Sequence, residues 1–496
     1  MYRTYRTAYR AAAAALGGLL ILMLSTAASL PAQVPDRSAP PELGPPPTLE
    51  LPPIQRLELS NGAEVVLLEK HNVPVVQVNL LVRTGYTADP QGETGLASMT
   101  ADMMDEGAAG LDALQLADAI DFLGARLSVR ASAHHTTVAL HTPVSQLDAA
   151  LAVMADVALR PDFPEEELER KRLERLTGLM QARDEARVIA SVIFDRTLYG
   201  SEHPYGRTSN GDEASIRAVT VADLEGFYET YFRPNNAFFI VVGDVSMGVI
   251  KPKLEALFGG WERGSIPSMS WPDAGQVETR EIFLVDKPGA AQSEIRIGRI
   301  GVPRLTEDYY AIVVMNTILG GSFTSRLNSN LREEHGYTYG ARSFFDFEPL
   351  PGPFQAGAAV QTAVTDAALT EFMKELELIR EPVTDEELTR AKNFVALRFP
   401  SRFQTVAGIA GRLTEVQLYD LPGDYFNDYV ERILAVTGED VQRAARKYIV
   451  PDKLAIIVVG DRAAIEEGVR ALGLGPVHLL TIDDVLGPAP VLTGTE

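Results

Sequence analysis

Residues 219–244 read VTVADLEGFYETYFRPNNAFFIVVGD, and residues 436–461 read VTGEDVQRAARKYIVPDKLAIIVVGD. Ten of the 26 positions are identical, without a gap, at a constant offset of 217. Such regularity exceeds shared propensity, so the chain carries two copies of one unit. Each copy reads as a helix bearing Asp223 and Tyr231 (or Asp440 and Tyr448), a proline turn at Pro234 (or Pro451), and a β-branched or aromatic run ending in Gly-Asp. That run has the composition of a strand buried on both faces.

Working outward, Phe163-Pro164-Glu165-Glu166-Glu167-Leu168 and Val383-Thr384-Asp385-Glu386-Glu387-Leu388 both predict capped starts of acidic amphipathic helices, at an offset of 220. Between the copies, Gly259-Gly260, Pro267, Trp271-Pro272 and Gly275 mark a linker centred near residue 270. The expected division is a first domain over 54–262, a linker over 263–276 and a second domain over 277–496. Residues 56–68 alternate around Ser60-Asn61-Gly62 as a hairpin would, and residues 75–82 read as a largely buried strand. Strands cluster and long helices follow, which predicts an α+β fold: two homologous domains, each a mainly antiparallel sheet with helices on one face. The other face would be free for the sister copy or a partner chain.

Composition narrows the function. A chain of 496 residues, 46% hydrophobic and with no cysteine, builds more than one core without disulfides and has neither thiolate metal sites nor a cysteine nucleophile. Its net charge of −22 disfavours extended nucleic-acid contact. Residues 1–32 hold Arg3, Arg6 and Arg10, no acid, and an apolar centre at 19–24 followed by small residues, the pattern of a cleaved secretory signal. The expectation is an exported, periplasmic protein without stable membrane insertion after cleavage; the alternative is an anchor through residues 11–30. Nine prolines among residues 31–53 predict an extended tether over 33–53.

Thr94-Gly95-Leu96-Ala97, Gly124 with Leu127, His203-Pro204-Tyr205-Gly206, the two Val-Val-Gly-Asp strands, and Leu319-Gly320-Gly321 through Ser325-Arg326-Leu327 to Leu331-Arg332 occur in this order. Together they resemble half of an insulinase/pitrilysin-type zinc peptidase, the family that includes the mitochondrial processing peptidase, over residues 54 to about 465. The resemblance implies two copies side by side in one half of a clam-like shell.

In active members the Gly-Leu-Ala segment opens an H-x-x-E-H helix, two histidines holding zinc and a glutamate working on its water. The matching positions here are Ser98, Ala101 and Asp102. The position of the third ligand, a glutamate in active members, falls on Gly178, with Glu174 one turn away. A serine is a poor zinc ligand and an alanine takes no proton, so the chain is expected to lack a catalytic centre and to hold no metal cofactor. His134-His135 could suggest a metal, but neighbouring strand residues point to opposite faces, and hydrogen-bonded strand histidines are the expectation. His203, before a proline, reads as structural.

In this family the half without zinc contributes an arginine and a tyrosine seven residues apart to the substrate. Arg332 and Tyr339 have that spacing, with Tyr337 as an alternative on the same strand face. A guanidinium and a phenol can donate to a scissile carbonyl and stabilise its developing charge; the plainer roles are a helix cap and a packed ring. Gly320-Gly321 precedes a helix, either as a tight turn or where a substrate backbone approaches, and lacks the lysine of a phosphate loop. The resemblance thus implies a noncatalytic subunit of an exported heterodimeric zinc metallopeptidase, with peptide substrates and a zinc-bearing subunit of the same family as partners. A peptide-binding or scaffold protein without a peptidase partner is the alternative.

Overall fold

The computed structural model describes residues 51–492 together with Gly44. The expected leader, and the expected tether up to residue 50 apart from Gly44, lie outside the described residues. Among the described residues no helix is long and apolar enough to cross a membrane.

Two six-stranded sheets form the frame. The first contains β1 (Gln55–Glu58), β2 (Glu64–Glu69), β3 (Val75–Val82), β4 (Arg126–Ala131), β5 (Thr136–Pro143) and β6 (Ala237–Gly243), in the order β1-β2-β6-β3-β5-β4. The second contains β7 (Glu281–Asp286), β8 (Gln292–Ile300), β9 (Arg342–Phe345), β10 (Pro353–Gln361), β11 (Ala455–Gly460) and β12 (Val477–Leu480), in the order β9-β10-β8-β11-β7-β12. The duplicated Gly-Asp runs become β6 and β11, each buried along its length. Each pairs parallel to one neighbour, β2 or β7, and antiparallel to the other, β3 or β8. The expected hairpin is present as β1 and β2, in antiparallel register from Gln55 with Leu67 to Glu58 with Glu64. Residues 259–280 cross between the sheets without helix or strand.

One face of the first sheet packs on its own helices, α1 (Leu96–Met103), α2 (Leu147–Leu159), α3 (Glu165–Ala182), and, beyond α4 (Ala186–Tyr199), α5 (Val221–Tyr231) and α6 (Met247–Phe258). The opposite face, with Val66, Leu81, Phe238 and Ile240, is covered by α7 (Val406–Leu418) from the second copy, through Val406, Ile409 and Leu413. The exchange is reciprocal: α4 from the first copy lies on the outer face of the second sheet, where Ile189, Ile193 and Phe194 meet Val285, Ile457 and Val459. The face left open in the sequence reading is therefore occupied by the sister copy. Burying both faces is what allows continuous apolar strands such as Phe238–Val242 in the middle of each sheet.

Two local expectations need correction. His134 and His135 are not strand residues; they sit in the turn joining β4 to β5. Helix α3 has Pro164 at its N-cap and no side-chain cap, whereas the Thr384–Glu387 capping box forms as expected before the helix Asp385–Arg398.

Candidate functional site

Helix α1 starts abruptly because Gly95 has φ +87 and lies against Asn210 and Gly211, so closely that a Cβ on Gly95 would stand 2.6 Å from the Gly211 nitrogen. A side chain there would be both strained and blocked. The buried carboxylate of Asp89 accepts from the backbone N–H of Gly95 (2.7 Å) and Ala97 (2.8 Å). Burial pushes its pKa up to about 7, against the pull of those two donors.

Along α1 the Ser98 hydroxyl is turned to the carbonyl oxygens of Ser209 (2.6 Å) and Gly95 (3.0 Å), and Ala101 is buried. Asp102 faces α3, where the Arg175 Nη2 donates to its Oδ2 at 2.7 Å. Gly178 lies one turn further along α3, with open space where a Cβ would project. Glu174, the nearest acid, is two-thirds exposed and 3.7 Å from Arg170. Zinc does not fit this donor set: one hydroxyl is committed to carbonyls, the one carboxylate is committed to a guanidinium, and the third position has no side chain. Among the described residues no group of three or more histidines and acids is arranged to hold a metal ion.

Asp102, Glu174, Arg175 and Gly178 line an open cleft of about 1020 Å³ bounded by α1, α3, α4 and the loop 205–211. Asp195 of α4 faces it, and burial pushes its pKa up to about 7, opposed by Arg296 and reinforced by Asp346. Glu348 is raised to about 7 for the same two reasons, burial and Asp346. His134 is hydrogen-bonded to the Tyr205 hydroxyl (2.5 Å) and sits edge-on to Trp271. Burial lowers it to about 4, so at neutral pH it is an uncharged packing residue. His203 accepts from the Tyr205 backbone N–H and stacks under Tyr199, the structural role its sequence context suggested.

The second set of expected residues occupies a different kind of backbone. The helix Tyr309–Asn316 widens into a π-helical turn, Thr317–Gly321, and after the short helical segment Arg326–Asn328 a second π-turn, Ser329–Glu334, carries Arg332. Such widened turns interrupt the regular ladder and are frequent at functional sites. The Arg332 guanidinium lies 4.5 Å over the ring of Phe323, with Glu333 at 3.3 Å. Tyr339 is 92% exposed. Tyr337 and Tyr339 do not share a strand face: only Thr338 pairs, with Val360, and Tyr337 turns inward to stack on His335 at 4.9 Å. Gly320 packs onto Ser343 of β9, where a side chain would collide with the strand, so close packing accounts for this glycine. Gly321 is exposed, beside Asn316.

Asn328, which carried no sequence signal, and an ion pair between Arg326 and Glu387 that the sequence did not foretell hold this segment in place. The Asn328 side chain donates to the Phe323 carbonyl (2.7 Å) and accepts from the Ala341 N–H (3.2 Å). Arg326 forms a two-pronged pair with Glu387 (2.7 and 3.0 Å), holding that carboxyl down at about 2. Arg175 was likewise unmarked in the sequence, since its role depends on which helix α3 faces.

The profile described as "Insulinase (Peptidase family M16)" matches residues 64–198, and that described as "Peptidase M16 inactive domain" matches residues 218–395. Among curated relatives, the "Uncharacterized zinc protease YmxG" of Bacillus subtilis is 24% identical over 68% of this chain and 82% of its own length. The "Non-peptidase homolog YmxG" of Helicobacter pylori is 20% identical over 80% of this chain and 92% of its own. A crystal structure of a peptidase M16 inactive domain from Pseudomonas fluorescens superposes with a TM-score of 0.77 at 27% identity, covering 82% of this chain and 98% of that one. The first half of the periplasmic protease PqqL from Escherichia coli has the same fold, with a TM-score of 0.68 at 16% identity, over 86% of this chain and 98% of that one.

Proposed function

This chain belongs to the insulinase (M16) peptidase family as a noncatalytic member, and from that premise we propose that it is the noncatalytic subunit of an exported heterodimeric zinc peptidase. The observation that carries the reading is a contrast between two sites. The helix that would hold the metal has Asp102 tied to Arg175, while Arg332 is held on Phe323 with its guanidinium partly exposed and Tyr339 projects into solvent. The zinc-bearing partner would supply the polarised water and carbonyl. Arg332 and Tyr339 would donate to carbonyl oxygens of the bound peptide from the opposite wall, where fixed donors stabilise developing charge without reorganising. Gly321, exposed at the end of the first π-turn, would let a peptide backbone approach.

The PqqL neighbour, described as half of a periplasmic protease, supports both the half-shell arrangement and export. A second reading, a peptide-binding scaffold without a peptidase partner, accommodates the non-peptidase name of the Helicobacter relative equally well. Affinity purification of the tagged full chain from its native host, with mass spectrometry of co-purifying chains, separates the two. A near-equimolar partner bearing an intact H-x-x-E-H helix is the expected result, and the purified pair should lose peptidase activity on Arg332→Ala without dissociating. Recovery of the chain alone would transfer the assignment to the scaffold.

A further inference from the structure

The poor fit of zinc to this cleft has a specific cause beyond the loss of ligands. Arg175 projects from α3 on the same face as Gly178, three residues earlier, and reaches across to α1. Its side chain is 9% exposed. Nη2 donates to the Asp102 carboxylate at 2.7 Å, and Nη1 donates to the Gly95 carbonyl at 3.1 Å and the Asn210 carbonyl at 3.2 Å. The guanidinium thus lies between the helix of the first two ligand positions and the helix of the third.

We infer that Arg175 is a built-in cation of this cleft, standing where a metal ion's charge would stand and fastening the loop 208–211 to the start of α1. Its single positive charge balances Asp102, and its N–H groups supply a donor to the Asn210 carbonyl and a further one to the Gly95 carbonyl, which already accepts from Ser98 and from the Met99 N–H. A divalent ion entering here would have to take Asp102 from the guanidinium and then remain beside that positive charge in a partly desolvated site. Exclusion of zinc is therefore an active property of Arg175, and restoring ligands alone does not restore a metal site.

The test uses the full chain with Asp102 retained as one ligand. The Ser98→His/Gly178→Glu variant provides a three-ligand set with Arg175 in place; the Ser98→His/Gly178→Glu/Arg175→Leu variant provides the same set without it. After zinc loading and desalting, elemental analysis should find no stoichiometric zinc in the former and about one zinc per chain in the latter. Stoichiometric zinc in the former, or its absence from a latter variant with native circular dichroism, overturns the inference. Should the latter variant not fold, Arg175→Leu in the otherwise native chain decides. Hydrogen exchange is expected to accelerate at residues 208–211 and at the start of α1 and to stay unchanged elsewhere. Unchanged exchange at those two places also overturns it.

Discussion

Phe194→Ala tests the exchange of helices between the two copies. Phe194 belongs in sequence to the first repeat, yet its ring is fully buried on the second sheet, against Gly298 of β8, where even a Cβ would stand 2.7 Å from the Phe194 Cζ. Such tight packing leaves little room for neighbours to collapse into the space the ring vacates. The truncation should cost about 3–5 kcal/mol, the transfer energy of the ring plus a cavity term. With an unfolding entropy of about 0.9 kcal/mol/K for about 440 ordered residues, the melting temperature should fall by roughly 3–5 °C. The assay follows two signals in one urea titration. Circular dichroism reports the whole chain, and fluorescence reports Trp261 and Trp271, whose indole N–H groups donate to Phe232 and Thr87 of the first copy. Because α4 and α7 interlock the copies, both signals should shift together. A tryptophan transition left at its wild-type midpoint while circular dichroism melts early would refute the interlock. A loss below about 1 kcal/mol would refute the packing argument.

Other expectations follow from individual side chains. Arg332→Ala should leave the isolated chain within about 0.5 kcal/mol of wild-type stability by chemical denaturation, because its contacts are an exposed ring and an exposed glutamate; a large loss would mark it as structural. Gly320→Ala should destabilise by about 1–3 kcal/mol, since the added carbon meets Ser343 of β9, and a neutral result would free that glycine for another role. Asp195 is raised from 3.8 to about 7, so the folded chain retains a proton that the unfolded chain releases. Its contribution is full below pH 3.8 and is lost as pH rises toward 7, at up to about 1.4 kcal/mol per pH unit. Asp195→Asn should therefore gain stability relative to wild type as pH rises from 5 to 7. His134 and His135, lowered to about 4, pull the other way in both chains and cancel from the difference; a pH-independent difference would place Asp195 in ordinary solvent.

Much of the site was legible because its signals are local. A missing histidine or glutamate at Ser98, Ala101 or Asp102 is read from three letters, and a glycine at position 178 cannot become a ligand whatever surrounds it. Local patterns misled where the backbone departs from regular elements. Tyr337 and Tyr339, two apart, suggested one strand face, but the pairing there is a single bridge at Thr338, which lets Tyr337 turn in against His335. His134 and His135 lie amid strand-like residues, yet the hairpin turns at that point.

Duplication of a unit, and a buried strand ending in Gly-Asp in each copy, follow from composition and spacing along the chain, and the family resemblance adds that the zinc motif is lost. Which helix covers which sheet, and which cation answers Asp102, is set by packing in three dimensions. Helices α4 and α7 have apolar faces that would suit either sheet, and strands buried on both sides accept any apolar helix. The choice is made by shape at contacts hundreds of residues apart in one case and 73 apart in the other, as with Arg83 donating to the Gln417 carbonyl and Arg175 to Asp102. Periodicity can say that a face must be covered; it carries no information about what covers it.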